Sequence, residues 1–264
     1  MRLPIYQVDA FTDTVFGGNP AAVVPLEDWL PDDRLLAIAA ENHLSETAFF
    51  VPDGGGYALR WFTPEVEVDL CGHATLATAF VIDRFLRPAG ADGLTFRTRQ
   101  AGTLTVTRDG DTYVMDFPSR PPLPVDTPHP DLLPALGGPP PRAVLAARDY
   151  LVVYDDAAAV RGLVPDMVRL AGLDRHGVCV TAPGEGGVDF VSRFFAPAFG
   201  IPEDPVTGSA HCTLIPYWAR RLGRDRLEAR QVSRRGGVLA CALAGDRVRI
   251  GGTAVLYLEG HIRV

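Results

Sequence analysis

The chain has 264 residues, 47% of them hydrophobic, and a net charge of −7, which is enough apolar material for one large core or two domains of about 120 residues. Its acidic residues are scattered, so no basic stripe offers itself to nucleic acid or an anionic membrane, and apolar stretches such as Ala74 to Ile82 fall short of the roughly 20 residues a bilayer span needs. All 25 positive side chains are arginine, and the missing amine excludes Schiff-base and pyridoxal-phosphate chemistry as well as Walker-type phosphate binding.

Met1 to Asp9 lacks the positive-then-apolar pattern of a secretory leader. Cys71, Cys179, Cys212 and Cys241 include no C-x-x-C pair, so free thiols are expected in place of a disulfide framework or zinc ribbon. The protein is expected to be soluble and cytoplasmic, with no nucleic-acid and no membrane partner.

Leu3 to Val8 reads as a strand and Asp32 to Ala40 as a short helix with apolar Leu35, Leu36, Ile38 and Ala39. Thr47 to Val51 and Tyr57 to Phe62 predict a hairpin across Pro52-Asp53-Gly54-Gly55-Gly56. Ala74 to Phe85 is apolar over most of its circumference, as expected of a helix enclosed by sheet. From Pro118 to Pro141 the chain holds ten of its 23 prolines, a composition that argues against a helix or an interior strand and reads as a linker. Strands are then predicted at Ala143 to Ala147, Tyr150 to Tyr154, Val178 to Thr181 and Phe190 to Phe195, followed by an apolar helix from Ala210 to Arg220 and more strands. The domain reading is 1–117 (with a C-terminal strand near 254–264 completing it), a linker over 118–141, and 142–253.

An internal repeat relates the halves. Arg60-Trp61-Phe62-Thr63-Pro64 and Cys71-Gly72-His73-Ala74 recur as Arg193-Phe194-Phe195-Ala196-Pro197 and Thr207-Gly208-Ser209-Ala210. The offsets are 193 − 60 = 133 and 208 − 72 = 136, so one three-residue insertion separates two copies of strand, loop and glycine-containing turn into an apolar helix. A helix start presents unpaired N–H groups to an anion, and Gly72 and Gly208 let a ligand approach that backbone.

His73 and Ser209 follow the two glycines, where each could donate a hydrogen bond or move a proton; equally, a histidine there can be structural and a serine a simple cap. Asp204, in Glu203-Asp204-Pro205-Val206-Thr207-Gly208-Ser209, suits a fixed polar group and also an ordinary Asp-Pro turn. Glu46, in Leu44-Ser45-Glu46-Thr47-Ala48-Phe49-Phe50, stands at the mouth of an apolar strand, where partial burial would raise its pKa toward that of a general acid and base; a solvated strand-end glutamate is the plainer alternative. Cys71 sits at a helix start that tends to depress a thiol pKa, but a two-thiol racemase needs a cysteine where the second copy has Thr207.

With these residues in place the sequence resembles the phenazine-biosynthesis PhzF-like family, whose fold is similar to that of diaminopimelate epimerase. The matching blocks are Val8-Asp9-Ala10-Phe11-Thr12 with Gly18-Asn19-Pro20, Ser45-Glu46-Thr47, Cys71-Gly72-His73-Ala74-Thr75, and Asp204-Pro205 with Thr207-Gly208-Ser209-Ala210. The resemblance implies an α+β fold: two half-domains related by pseudo-twofold symmetry, each a curved, mostly antiparallel sheet around a buried helix, with the active site between them. It implies a homodimer and a cofactor-independent, metal-free isomerase that moves a proton between carbons of a small carboxylic acid. Glu46 matches the family's proton-transferring glutamate; His73, Asp204 and Ser209 match its substrate-binding and proton-handling residues, and Asn19, Gly72 and Gly208 are expected to line the substrate. The family's best-known reaction isomerises trans-2,3-dihydro-3-hydroxyanthranilate. Two alternatives remain open from the sequence: a thiol-dependent racemase or epimerase of the same fold, and a metabolite-binding protein without turnover.

Overall fold

The computed structural model describes residues 1–86 and 93–264. The chain divides into two units, Met1–Asp116 with Gly251–Val264, and Phe117–Ile250.

In the first unit, β1 (Arg2–Ala10) pairs antiparallel with β2 (Asn19–Pro25) on one side and with the C-terminal strand Ala254–Arg263 on the other. Helix α1 (Asp32–Asn42) carries the chain over to β3 (Glu46–Asp53), which runs parallel to β2 with Ala21 opposite Glu46. The tight turn into β4 (Gly56–Phe62) is made by Gly54 and Gly55, both at positive φ, the backbone that a two-residue hairpin requires. After β5 (Glu67–Val68) and α2 (Gly72–Val81), a π-helical turn continues over Ile82–Leu86, so the element read as one helix to Phe85 changes its winding at Ile82. Strands β6 (Leu94–Arg97), β7 (Thr103–Asp109) and β8 (Thr112–Pro118) finish the unit, β6 lying parallel to β4.

All ten residues of α2 are buried, and the helix packs against β1, β2 and β3. Its threonine hydroxyls are satisfied within the helix: those of Thr75 and Thr78 donate to the carbonyls of Cys71 and Ala74 at 2.6 and 2.7 Å. Leu35, Ile38 and Ala39 of α1 join Leu3, Ile5, Ala22, Val24, Phe49 and Phe62 in a second cluster. Strand β3, buried from Glu46 to Val51, therefore reads as a continuous apolar run instead of an alternating one.

The second unit repeats this plan. Here β9 (Leu123–Pro124) pairs with β10 (Ala143–Ala146), and β10 pairs with β11 (Tyr150–Val153). The helices α4 (Ala157–Gly162) and α5 (Met167–Ala171) lead to β12 (Val178–Pro183), which is parallel to β11 as β3 is to β2. Strands β13 (Phe190–Ala196) and β14 (Ile201–Asp204) precede α6 (Gly208–Leu222), and β15 (Arg226–Gln231) returns parallel to β13 beside β16 (Gly237–Ala244). Trp218 of α6 is fully buried, stacks on Phe190 at 5.6 Å, and donates from Nε1 to the Thr181 hydroxyl at 3.0 Å.

The proline-rich run, expected to be a linker without helix, is instead built into the second unit. Residues Leu132–Leu136 form α3, whose Leu132, Ala135 and Leu136 enter the core with Tyr150, Val152 and Phe195. Pro134 falls in the first turn of α3, where a backbone N–H has no intrahelical acceptor to lose. Pro216 inside α6 anchors the run further. Its missing N–H releases the carbonyl of Cys212, which accepts the Arg120 N–H at 2.8 Å.

The repeat is structural as well as sequential. Arg60 of β4 forms a two-pronged bond to Glu67 (both contacts 2.7 Å) and lies 4.9 Å over the Phe62 ring. Arg193 of β13 does the same with Glu203 (2.7 and 3.0 Å) and Phe195 (5.0 Å). Glu67 and Glu203 are separated by the same 136 residues as the two helix starts.

Candidate active site

In the first unit three separate elements meet at the start of α2. Glu46 is the first residue of β3, His73 the second of α2, and Asn19 the first of β2. Asn19 is placed by Gly18, which sits at φ +59, with a built Cβ 2.1 Å from the Ala10 carbonyl oxygen, so only glycine fits there. The preceding turn is tied by Asp9, which accepts the Phe16 N–H at 2.8 Å.

The Asn19 amide approaches His73 Nδ1 at 3.2 Å, and His73 Nε2 lies 3.2 Å from Glu46 Oε2. Donation from Asn19 Nδ2 makes Nδ1 the acceptor and leaves the ring proton on Nε2, the nitrogen beside the carboxylate. Burial pushes the His73 pKa down to about 3, so at neutral pH the imidazole is neutral and lies against the Glu46 carboxylate as an uncharged ring. Both side chains are almost enclosed, at 6% and 11% exposure. Cys71, the residue before α2, places Sγ 3.5 Å from His73 Nδ1 and 4.0 Å from Nε2. Donor atoms of Glu46, Cys71 and His73 lie within 4.8 Å of one another, a set able to hold a metal ion.

In the second unit Asp204, which closes β14, accepts the Thr207 hydroxyl at 2.5 Å. Gln231, fully buried at the end of β15, accepts the Thr207 N–H through Oε1 at 2.9 Å. Its Nε2 donates to the Asp204 carbonyl at 2.7 Å and to the Thr207 hydroxyl at 3.1 Å. Ser209 is half-buried at the second position of α6. His211 is fully buried, donates from Nδ1 to the Thr207 carbonyl at 2.8 Å, and has its pKa pushed down to about 4 by burial.

Cys71 and Thr207 occupy the same place, each the extended residue before its helix, and neither provides a side-chain cap. The N–H groups at the starts of α2 and α6 are thus not covered by such a cap. Glu46, His73 and Asn19 are brought together in the first unit, and Asp204 and Ser209 flank one helix start in the second. Sequence reasoning missed Gln231, His211 and the paired Glu67 and Glu203. The 136-residue offset could have exposed the two glutamates, and also the match of Thr75 to His211, whereas nothing in the local sequence marks Gln231.

The family model described as phenazine biosynthesis-like protein matches residues 8–260. An uncharacterized isomerase of Pseudomonas aeruginosa is 55% identical over 264 residues, with the whole of each chain covered. The crystal structure of a PhzF-family phenazine biosynthesis protein from Enterococcus faecalis is 49% identical and superposes with a TM-score of 0.95 over the whole of both chains. A predicted epimerase of Pseudomonas aeruginosa, 21% identical, has the same fold with a TM-score of 0.75 over 99% of each chain. Family model, relatives and fold agree: this chain belongs to the phenazine biosynthesis-like, or PhzF, family.

Proposed function

We propose that this chain is a cofactor-independent isomerase that moves a proton between carbons of a small carboxylic acid, with Glu46 as the general acid and base. The buried 3.2 Å approach of His73 Nε2 to the Glu46 carboxylate carries this reading. A carboxylate that takes a proton from carbon and returns it must be sheltered from water, and the neutral imidazole packed against Glu46 helps to shelter it. Glu46 accepts the proton from one carbon of the substrate and gives it back at another, so no electron leaves the substrate and no oxidant is needed. The negative charge that develops on the substrate needs donors nearby. The N–H groups at the start of α2, beside Glu46 and His73, are the candidates to receive the substrate in the first unit, and the names of the curated relatives as isomerases fit this class of chemistry.

Glu46→Gln keeps the shape and the contact to His73 but cannot accept a proton. Turnover, or solvent deuterium incorporation into a bound carboxylic acid, is expected to fall by roughly 10²- to 10⁴-fold while binding survives; near-normal exchange would remove Glu46 as the base.

The thiol-dependent alternative is disfavoured by position. Cys71 has Thr207 as its counterpart, and Cys212 lies inside α6 with its pKa pushed up to about 11 by burial, far from a thiolate at neutral pH. Cys71→Ser is therefore expected to retain turnover within about tenfold, in contrast to the loss of an acid–base group, and a complete loss would favour the two-base thiol reading.

A further inference from the structure

We propose that Glu46, Cys71 and His73 form a three-ligand site for a zinc-class divalent cation. A thiol, an imidazole and a carboxylate are the donor types that zinc accepts in tetrahedral sites. All three donor atoms lie within 4.8 Å of one another, and the two separations made by His73 are close to those of such a site. Zinc bonds of ordinary length at tetrahedral angles separate a nitrogen and an oxygen donor by about 3.4 Å, and a nitrogen and a sulfur donor by about 3.6 Å. The corresponding separations here are 3.2 Å from His73 Nε2 to Glu46 Oε2 and 4.0 Å from Nε2 to Cys71 Sγ.

The donors also stand on rigid elements. Glu46 opens β3, and Cys71 and His73 flank the first residue of a buried helix that packs against β3, so no loop has to be ordered when the ion binds. The carboxylate and the thiol, which gives up its proton on binding, together balance the charge of the ion. The ion would take over the contacts His73 makes with Glu46 and Cys71. The ring proton then moves to Nδ1, and the Asn19 amide, which offers both an oxygen and an N–H₂ group, can turn to accept it. Three protein ligands leave a fourth position for water or an anion. The second unit has no equivalent, since Thr207 and Ser209 stand where Cys71 and His73 do.

A cation at this site and proton transfer by Glu46 exclude one another. That consequence, unlike the site itself, rests on the function proposed above.

The test uses the full chain after chelator treatment and desalting. Calorimetric titration with zinc chloride is expected to show one zinc per chain, with affinity weakened about tenfold or more in each of Cys71→Ser, His73→Asn and Glu46→Gln. Cobalt chloride is expected to give a thiolate-to-cobalt absorption band that disappears in Cys71→Ser and in Cys71→Ala; the second variant, with a melting curve for each, separates ligand loss from misfolding. Absence of saturable zinc binding to the wild type, or wild-type affinity in both folded Cys71 variants, overturns the site. Zinc bound as expected but without effect on deuterium exchange keeps the site and overturns Glu46 as the base.

Discussion

The two copies of the repeat share a frame and differ at the helix start. Arg60–Glu67–Phe62 and Arg193–Glu203–Phe195 have nearly the same geometry, and in both copies the residue four before a buried helical position accepts a side-chain hydrogen bond at its carbonyl, from Thr75 in one and His211 in the other. Chemistry appears in the departures. The first copy sets a carboxylate against a neutral histidine, Glu46 on His73. In the register of the two hairpins, Thr47 lies opposite Phe62 and Val178 opposite Phe195, so the counterpart of Glu46 is Gly177, which has no side chain to offer. The second copy instead binds its own loop together through Asp204, Thr207 and Gln231. Duplication preserved the parts that hold each helix and left the residues at its start to diverge.

The strongest way to break this comparison is to remove the shared frame. Arg60 is almost fully buried, and replacing it with methionine removes both of its bonds to Glu67 and its 2.9 Å contact to Asp32, leaving Glu67 with Arg99 at 3.1 Å. A loss of about 1–3 kcal/mol is expected in urea unfolding, since hydrogen bonds to charged groups are lost while Glu67 keeps Arg99, and the double variant Arg60→Met/Glu67→Met measures how much of it belongs to the pair. Arg193→Met should lose a similar amount, since Arg193 also donates to the carbonyls of Val160 and Leu163 at 3.1 and 2.8 Å. A negligible effect in one copy and a large one in the other would mean the frames are alike in shape but not in energetic role.

A smaller effect tests what is private to the second copy. The counterpart of Gln231 is Thr98, since Tyr57 faces Phe96 in the first copy as Phe190 faces Ala229 in the second, and Thr98 turns to Gly102 instead. Gln231→Leu keeps an apolar volume but leaves the Thr207 N–H and the Asp204 carbonyl without their amide partner. About 1–3 kcal/mol of stability should be lost, and amide exchange at Thr207 should rise. Unchanged protection there would show that Gln231 is not what holds the loop.

Much of this was legible in the sequence, for physical reasons that differ by residue. The strands, both buried helices and the repeat were readable because apolar periodicity and a fixed offset survive without tertiary knowledge, and the types of Glu46, His73 and Asn19 were visible in short motifs. The proline-rich run was misread. Prolines do exclude long regular elements, but Leu132 and Leu136 were apolar signals at helical spacing, and a single proline is harmless in a first turn. Gln231 could not have been found, because its partners are backbone groups brought to it from 24 and 27 residues away by the fold.

The last prediction sharpens the contrast between Thr75 and His211, which do the same structural task with and without a titrating group. His211 is fully buried and its pKa is pushed from 6.5 to about 4 by desolvation. The unfolded chain therefore binds a proton as pH falls below 6.5, while the folded chain refuses it until near 4. Stability contributed by this residue is complete above pH 6.5 and is lost on acidification, with a limiting slope of about 1.4 kcal/mol per pH unit for one proton. His73, also depressed by burial, acts in the same direction. His211→Gln is close in size and can still donate to the Thr207 carbonyl, but it does not titrate. At neutral pH the variant should be slightly less stable, by about 1 kcal/mol, because the amide fits a site shaped for a ring beside Phe190. On lowering the pH to about 4.5 that gap should close and reverse, since only the wild type then resists a proton it would gain by unfolding. Urea unfolding of both proteins at several pH values measures the difference directly. A gap that stays constant across this range would mean His211 takes up its proton in the folded state as easily as in the unfolded one, and the second copy would then gain no acid sensitivity from having histidine where the first has threonine.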